Sequence, residues 1–453
     1  MTPTLRPYQI VATSLATSAL IDHCGYLLAL TPGLGKTAVS IAIINNLHAL
    51  QGINRVLVVC PTRVIPHWHS EAAAWQSTLP ASTLYDPSIT TRLALLRNAA
   101  PGIYTISTGL LHWLSLHKHF RFDLIIFDES SYYRNWSAQR TKAARRLAAV
   151  TPHRLLLSGS PAPNTPSELF PQAYLCDLGL SLGDTLTKFN AIYTHRGGYE
   201  NREHIFTPEL APKLQSAIAH LTLRQDSSLL TGFPTLTINP VIVPLPPQAL
   251  QTYKQMEREL YTDLMDPAKP ILALSGSAKY LATRQLASGS CYTSPTDRTV
   301  QFLHDAKLQA CQEIIQETPG PVIIAYQFTH ELATLLHTFH NAPAIHGGTT
   351  PAQTADIIAK WKLKQVPVLL VQSQAISHGI DGLQFGGCSI IHYTLTDNAD
   401  TFDQLNARLA RSGQTQPVVA HVLVAQATID RAVLRSVQSR ITMQKTLLEY
   451  FSA

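Results

Sequence analysis

The stretch GYLLALTPGLGKTAVSIAIINNLHAL, residues 25–50, decides the fold class. Its apolar start predicts a buried strand and its end predicts a helix, so the glycine-rich loop at residues 31–37 connects a strand to a helix. A loop of this kind at a helix N-terminus is typical of phosphate sites in doubly wound parallel sheets. The strict glycine–lysine pattern is incomplete, because Leu30 stands at its first glycine position.

The residues of this loop fit a phosphate site. Gly33 and Gly35 allow a tight turn whose backbone N–H groups point inward. Lys36 adds a positive charge for the outer phosphates, and Thr37 places a hydroxyl that can ligate Mg²⁺ at the helix N-terminus. The alternative is a glycine turn with an incidental lysine.

Two adjacent acids end a second apolar run. In IIFDESSYYRN, residues 125–135, Asp128 and Glu129 follow the run directly. A buried strand can deliver a metal-holding Asp and a water-orienting Glu to a nucleotide in this way. The next two residues are serines, Ser130 and Ser131. The acid pair weakens the alternative that the lysine in the glycine loop is incidental.

The alternation of apolar strands and helical stretches predicts two α/β lobes. One series runs from residue 25 to 160, and a second begins near residue 320 and lacks a glycine phosphate loop. Residues 161–300 are predicted to be mainly helical, with INPVIVPLPP, residues 238–247, as an edge strand and crossing linker. The expected fold is two lobes with parallel sheets flanked by helices, joined by a helical bridge.

Composition narrows the classes of function. A chain of 453 residues exceeds what one hydrophobic core usually organises. A net charge of +6 mildly favours a polyanionic partner but does not by itself indicate nucleic acid. The six cysteines show no C-x-x-C spacing, which favours free thiols in a reducing compartment. With no signal pattern and no apolar run as long as a membrane span, a cytosolic protein is expected.

A basic helix is predicted near the C-terminus. On a helix, Gln404, Arg408 and Arg411 fall at positions i, i+4 and i+7 and share one face. Arginines that reach a γ-phosphate stabilise charge in the transition state. The alternative is a solvated basic helix capped by Gly413.

With these motifs in place, the chain resembles the Snf-type, chromatin-remodeller-like family of superfamily-two helicases, in its small stand-alone phage and bacterial form. The resemblance runs along nearly the whole chain. It rests on LRPYQ (5–9), VLVVCPTRVIPHWHSEAAAW (56–75), LLLSGSPAPN (155–164), LTLRQ (221–225), LATRQLASG (281–289), VIIAYQF (322–328), IHGGT (345–349) and, most strongly, DQLNARLARSGQTQPVVAHVLVAQATID (403–430).

The resemblance implies two RecA-like lobes of a P-loop NTPase. The first lobe is expected at residues 1–235, with a helical extension from about 161. The second is expected at 236–453, preceded by a helical insertion to about 300. It further implies a DNA-stimulated ATPase that uses ATP and Mg²⁺ and moves along double-stranded DNA through sequence-tolerant backbone contacts. A monomer in the cytoplasm of a bacterial cell or a phage-infected host is expected.

The motifs and the resemblance together assign the site residues. Catalytic roles fall to Lys36, Glu129, Arg408 and Arg411. Nucleotide contacts fall to Arg6, Gln9, Gly33, Leu34, Gly35, Lys36, Thr37, Gly379, Asp381 and Gln404, and Mg²⁺ ligands are Thr37 and Asp128. DNA contacts fall to Pro61, Thr62, Arg63, Ser107, Thr108, Gln327, Gly347, Gly348 and Ser373. Coupling residues are Ser131, Ser158 and Gly159.

The chain departs from the family pattern at several positions. Ser131 replaces the family's His, which normally bridges to the Ser158–Gly159 loop, and a serine hydroxyl can donate one hydrogen bond there with shorter reach. Ser160 replaces a Thr, Ala410 replaces a His and Asp381 replaces an Asn; these positions are again assigned through the resemblance.

Two alternative functions remain open at this point. One is a helicase that separates or anneals strands, for which THRGGYENRE at residues 194–203 could form a hairpin tip. The other is a DNA clamp that ATP switches without sustained turnover. The basic run at residues 134–146 is interpreted either as a solvated helix face or as part of a phosphate-contacting wall.

Overall fold

The computed structural model describes residues 3–84, 86–117, 120–159, 161–162, 165–197, 203–225, 234–265, 273–292, 299–340, 342–376 and 380–450. Two compact units divide the chain. The first lies within residues 1–231 and takes in the last residues from 442 onward, and the second lies within residues 232–441. None of the helices in the described ranges combines the length and apolar character needed to cross a membrane.

The first unit is built on a parallel sheet. Its described strands are β1 (Gly25–Leu30), β2 (Arg55–Cys60), β3 (Ala81–Thr83), β4 (Gly102–Ser107), β5 (Leu124–Asp128), β6 (His153–Ser158), β7 (Thr194–Gly197), β8 (Glu203–Phe206) and β9 (Thr222–Gln225). Seven of them form one sheet in the order β3-β4-β2-β5-β6-β1-β9, with every pair parallel. All residues of β1 are buried, as expected when helices cover both faces of a sheet. The carboxyl ends of these strands share one edge.

Helices connect the strands of the first unit. They are α1 (Pro7–His23), α2 (Lys36–Gln51), α3 (Ile65–Ala74), α4 (Ile89–Arg97), α5 (Leu111–Ser115), α6 (Gln139–Ala148), α7 (Leu169–Asp177), α8 (Leu186–Tyr193) and α9 (Ala211–Ile218). In α2 the buried positions include Val39, Ile43 and Leu47, the four-residue spacing of one helix face. Gly52, with φ of 65°, ends α2 in the left-handed conformation.

The second unit repeats this architecture. Its described strands are β10 (Leu236–Val243), β11 (Ser290–Tyr292), β12 (Val300–Phe302), β13 (Val322–Tyr326), β14 (Ala344–Ile345), β15 (Val368–Gln372), β16 (Ser389–His392) and β17 (Val418–Ala425). Six of them form a sheet in the order β10-β17-β16-β13-β15-β14, again with every pair parallel. β11 and β12 form a separate antiparallel pair. The predicted fold class, two parallel sheets flanked by helices, is confirmed.

The helices of the second unit pack around its sheet. They are α10 (Pro247–Met265), α11 (Ala273–Ser288), α12 (Ala306–Glu317), α13 (Thr329–Thr338), α14 (Pro351–Lys362), α15 (Ser373–Ile376), α16 (Ala399–Leu409) and α17 (Asp430–Tyr450), which begins in this unit. Trp361 of α14 is fully buried, and its indole N–H donates to the Leu383 carbonyl oxygen at 2.8 Å. His392, also fully buried, lies 3.0 Å through Nε2 from Asn406 Oδ1. Burial lowers the pKa of His392 to about 4, so its imidazole is neutral at pH 7.

The region from 161 to 300 contains more strand than the sequence suggests. β9 extends the first sheet beside β1, and β7 pairs with β8 as an antiparallel hairpin. β10 lies at the edge of the second sheet, so the edge strand predicted within residues 238–247 is confirmed. Pro240 is tolerated in β10 because an edge strand needs no N–H on its open side. The described part of this region is mainly helical, as predicted, but the sequence did not predict the strands β7, β8 and β9.

Candidate nucleotide site and nucleic-acid interface

The glycine loop connects β1 to α2 in a conformation that needs its glycines. Gly33 and Gly35 have φ of 90° and 76°, a region that side chains disfavour. A Cβ on Gly35 would also lie 2.4 Å from the amide nitrogen of Gln9. Lys36, the first residue of α2, donates from Nζ to the Leu30 carbonyl oxygen at 2.9 Å. The lysine is thereby held across the loop, where the motif predicts phosphate oxygens.

The first turn of α1 fixes this loop from outside. Gln9 is buried, and its amide N–H donates to the Leu34 carbonyl oxygen at 3.0 Å while its oxygen accepts the Arg6 backbone N–H at 2.8 Å. The Tyr8 hydroxyl donates to the same Leu34 oxygen at 3.2 Å. The structure thus places Arg6 and Gln9 beside the glycine loop. Their contact with a nucleotide, and that of Gln9 with its adenine, remains a prediction, and Tyr8 is a neighbour that sequence reasoning missed.

The acid pair lies at the carboxyl end of β5. Glu129 follows the strand with φ of 60° and ψ of 63°, a left-handed conformation that is uncommon for a residue other than glycine. Trp68 of α3, 1% exposed, donates from Nε1 to Asp128 Oδ2 at 2.8 Å. This indole N–H fixes the orientation of the Asp128 carboxylate. The sequence did not predict this contact.

The electrostatics of Asp128 suit a metal ligand. Burial raises the pKa of its carboxyl, and the neighbouring Glu129 raises it further. The Trp68 N–H and the charge of Lys36 lower this pKa and so act in the opposite direction. A desolvated carboxylate is stabilised when a cation binds it, and Mg²⁺ usually takes one or two carboxylates together with substrate phosphates. Asp128, with the Thr37 hydroxyl in the first turn of α2, fits such a site.

The serine that replaces the family's histidine makes a different contact from the predicted one. Ser131 donates its hydroxyl hydrogen to Glu129 Oε1 at 3.3 Å, so it does not bridge to the loop after β6. Gly159 of that loop packs on the glycine loop, since a Cβ there would lie 3.0 Å from Pro32 Cδ and 3.6 Å from Lys36 Nζ. Ser158 ends β6 and is fully buried. The predicted bridge from Ser131 is therefore wrong, and Ser160 lies outside the described residues.

The predicted DNA contacts of the first unit follow two paired strands. Cys60 at the end of β2 is in register with Ser107 at the end of β4, so the loops that follow begin side by side. Thr62 and Arg63 are exposed, whereas Ser107 is 4% exposed and Thr108 is half-buried. Each loop enters a 3₁₀ turn, Thr62–Val64 or Thr108–Leu110. Pro61 lies half-buried between β2 and its turn.

Much of the basic run at residues 134–146 contacts its own unit. The Arg145 guanidinium lies 3.5 Å from the centroid of the Trp136 ring, and that of Arg140 lies 5.7 Å from the Tyr132 ring. Arg134 pairs with the carboxylate of Glu168, the residue directly before α7, at 3.8 Å. These contacts favour a structural role for the run over a phosphate-contacting wall.

The predicted DNA contacts of the second unit also lie at strand ends. Gln327 follows β13, and its backbone N–H donates to Glu331 Oε2 at 2.9 Å. Gly347 and Gly348 are exposed after β14. Ser373 is fully buried and donates its hydroxyl hydrogen to the Tyr326 carbonyl oxygen at 3.1 Å. A DNA contact through the Ser373 side chain is therefore wrong, because the hydroxyl is inaccessible.

The predicted basic helix ends earlier than its sequence pattern suggests. α16 ends at Leu409, and Ala410 has φ of −82° and ψ of 66°, so Arg411 lies beyond the helix. The prediction that Arg411 shares a helix face with Gln404 and Arg408 is wrong. Arg411 instead forms an ion pair with Asp381.

The remaining candidates of this segment differ in exposure. Gln404 is 7% exposed, and its Oε1 has no hydrogen-bond partner within the described part of the chain. Arg408 is half-buried on α16. Gly413, with φ of 95°, belongs to the loop after α16 and not to a helix cap. Gly379, a predicted nucleotide contact, lies outside the described residues.

Comparison with known proteins identifies the family. Residues 8–283 match the SNF2-related domain and residues 306–413 match the helicase conserved C-terminal domain. Protein p41 of Acyrthosiphon pisum secondary endosymbiont phage 1 is 30% identical over 437 residues, covering 92% of this chain and 93% of that protein. Human DNA excision repair protein ERCC-6 is 23% identical over 465 residues, covering 91% of this chain but 30% of its own length.

Among solved structures, the Sulfolobus solfataricus SWI2/SNF2 ATPase core in complex with dsDNA is similar, with a TM-score of 0.47, 20% identity and coverage of 99% of this chain and 93% of that chain. The two domain matches together take in most of the chain, and the phage relative aligns over nearly its full length. The chain belongs to the SNF2-related family of superfamily-two helicases.

Proposed function

We propose that this protein is a DNA motor that hydrolyses ATP to move along duplex DNA. The observation that carries the proposal is the meeting of two motifs at one edge of the first sheet. The Trp68–Asp128 hydrogen bond fixes one acid there, and the charge of Lys36 acts on the same carboxylate. Membership of a helicase family supports nucleotide use, and ATP as substrate with Mg²⁺ as its cofactor is part of the proposal.

In the proposed reaction, water attacks the γ-phosphorus and the bond to the bridging oxygen of ADP breaks. Glu129 orients the water and accepts its proton. Thr37 and Asp128 would hold Mg²⁺, whose charge counters that of the outer phosphate oxygens. Lys36, freed from the Leu30 carbonyl oxygen, would face the same oxygens. Arg408 and Arg411 of the second unit would supply the positive charge that the transition state requires.

Duplex DNA is the proposed partner, bound through its phosphates. The exposed residues Thr62 and Arg63 carry side-chain donors at a strand end, and the exposed glycines Gly347 and Gly348 let a phosphate approach the backbone closely at another. Such donors contact phosphates without reading bases, which suits a motor that passes over every sequence. The protein is proposed to act as a monomer in the bacterial or phage-infected cytoplasm.

One observation favours a second candidate function, strand separation. β7 and β8 form an antiparallel hairpin within residues 194–206, and a hairpin of this kind can act as a wedge between strands. A forked duplex with a labelled strand distinguishes the two functions, since a translocase without a wedge leaves the fork intact.

The experiment that tests ATP turnover is phosphate release with and without duplex DNA. We expect wild-type release to rise strongly with DNA and Lys36→Ala to release less than about a tenth as much, because the charge facing the phosphates is gone. Glu129→Gln should bind ATP tightly without hydrolysing it. An ATP-switched clamp would instead bind ATP and release phosphate once or not at all.

A further inference from the structure

A buried chain of side-chain hydrogen bonds connects the acid pair to the loop after β6. Ser130, the residue after Glu129, is fully buried and donates its hydroxyl hydrogen to Gln172 Oε1 at 2.6 Å. Gln172 of α7 is also fully buried, and its amide nitrogen donates to the carbonyl oxygens of Pro161 and, at 3.0 Å, Glu168. A serine in the acid-pair segment is thus connected through one amide to Pro161, three residues after the end of β6.

This chain of hydrogen bonds requires an amide side chain at position 172. The Gln172 oxygen accepts one hydrogen bond and its NH₂ group donates two, which uses both donor hydrogens. A carboxylate could not donate to the two carbonyl oxygens, and an apolar side chain would leave both Ser130 and Pro161 without this partner. Buried polar networks of this kind hold their members in one arrangement.

Both ends of the chain adjoin residues of the proposed reaction. At one end, the peptide group between Glu129 and Ser130 is held while Glu129 adopts its left-handed φ of 60°. Such a conformation persists only where surrounding contacts enforce it. At the other end, Gly159 packs against Pro32 and Lys36 of the glycine loop. A shift of the loop after β6 therefore reaches Glu129 through Pro161, Gln172 and Ser130.

We propose that Ser130 and Gln172 are positioning residues that set the orientation of Glu129 according to the conformation of the loop after β6. These two residues connect the acid pair to the loop after β6. Ser131 does not make this connection, because it donates its hydroxyl hydrogen to Glu129 itself. This proposal rests on the proposed function, in which Glu129 orients the attacking water. It predicts an effect on the chemical step and not on nucleotide affinity.

The test compares four variants of the full chain with the wild type. Ser130→Ala and Gln172→Met each break the chain while keeping side-chain volume nearly constant, and the double variant removes both partners. Ser115→Ala is the matched control, because Ser115 is equally buried and donates its hydroxyl hydrogen to the His112 carbonyl oxygen at 2.7 Å, a local bond within α5. For each, kcat and KM for ATP are measured at saturating duplex DNA, with binding of a fluorescent ATP analogue and thermal unfolding.

We expect Ser130→Ala and Gln172→Met each to lower kcat about 10-fold. This is less than the roughly 10²- to 10⁴-fold contributed by a correctly placed general base, because Glu129 itself is still present. KM and analogue affinity should stay within about twofold, and the double variant should be no slower than the slower single variant because one connection is broken in all three. Ser115→Ala should match the wild type.

Wild-type kcat in both single variants would overturn the positioning role of Ser130 and Gln172 and leave the proposed function standing. So would a kcat loss in the double variant equal to the product of the single losses, or an equal loss in Ser115→Ala. If the wild type itself does not hydrolyse ATP, the proposed function is wrong, and so is the positioning role that rests on it. Should Gln172→Met fail to fold, Ser130→Ala against Ser115→Ala still decides between these outcomes.

Discussion

Replacing Trp68 with Phe should make ATP turnover more dependent on Mg²⁺. The change removes the indole N–H that donates to Asp128 Oδ2 at 2.8 Å but keeps a buried aromatic ring. Because this N–H lowers the pKa of Asp128, its loss leaves a carboxylate that binds protons more readily and is no longer fixed in orientation. Outer contacts to metal ligands typically contribute 10- to 100-fold in affinity or activity, so the half-saturating Mg²⁺ concentration should rise at least about 10-fold.

The same change should destabilise the first unit. A hydrogen bond to a charged group contributes roughly 1.5–3 kcal/mol, and the smaller ring leaves a cavity that adds about 1 kcal/mol. Trp361→Phe is a matched control, because Trp361 is equally buried and donates to the Leu383 carbonyl oxygen at the same distance of 2.8 Å. It loses a hydrogen bond of the same length, to a neutral carbonyl oxygen, and a similar volume in the second unit.

The assay is the ATPase rate at fixed ATP over a range of Mg²⁺ concentrations, at pH 7 and again near pH 6. Both variants should unfold at lower temperature, but only Trp68→Phe should require more Mg²⁺. Its deficit should grow at the lower pH, since protons compete with the metal for a carboxyl whose pKa is raised. Identical Mg²⁺ curves for the two variants would refute the assignment of Asp128 as the metal ligand held by Trp68.

Other predictions concern charge and pH. Asp128→Asn should abolish turnover yet raise the melting temperature measured without metal at pH 7. Because burial raises the pKa of Asp128, the folded protein loses stability as pH rises through that pKa and the carboxyl ionises, and an asparagine does not ionise. A lower melting temperature would contradict this. Arg411→Ala should lower kcat on the order of 10³-fold. Asp381→Asn breaks the ion pair with Arg411, whose side chains are 51% exposed for Asp381 and 19% exposed for Arg411, and should raise DNA-free turnover by up to about fivefold because Arg411 is released. A lower rate in Asp381→Asn would show that Asp381 serves the reaction directly. The contribution of His392 to stability should be complete above pH 6.5 and fall by at most about 3 kcal/mol as pH drops towards 4, and His392→Gln should flatten this loss in unfolding curves recorded by pH. DNA affinity should fall with salt at a log–log slope of about −0.9 per phosphate contact, and a strong preference for one duplex sequence at equal salt would argue against backbone binding.

Local patterns predicted much of the first site. The glycine loop and the acid pair are each short segments in which a strand, a turn and the functional residues are adjacent in sequence. Both segments follow strands of one parallel sheet and so lie at the same sheet edge. The sequence alone therefore predicts that Lys36 and Asp128 belong to one site. The Trp68–Asp128 contact could not, because 60 residues separate the two and nothing in either segment signals the other.

The errors have physical causes that lie outside local patterns. The helical spacing of Gln404, Arg408 and Arg411 is real, but α16 ends at Leu409 because tertiary contacts override propensity there. Gln414 donates to the carbonyl oxygens of Gln384 and Gly387, both at 2.9 Å, and so holds the following loop away from a helical path.

The serines were misjudged for a related reason. Ser131 and Ser130 are adjacent, and only the backbone turn at Glu129 decides which hydroxyl faces α7. Ser373 is polar in sequence but buried in the structure, where it satisfies a carbonyl oxygen of β13. A hydroxyl that serves the backbone cannot be told from one that serves a ligand until its burial is known.

Displacement of a third strand from a DNA triplex tests the central claim most directly. The substrate carries a duplex track beside the triplex, so a protein that moves along duplex DNA removes the third strand without separating the duplex. We expect ATP-dependent displacement by the wild type and none by Glu129→Gln, although that variant should still bind ATP and DNA. An intact triplex in the presence of vigorous DNA-stimulated ATP hydrolysis would contradict it.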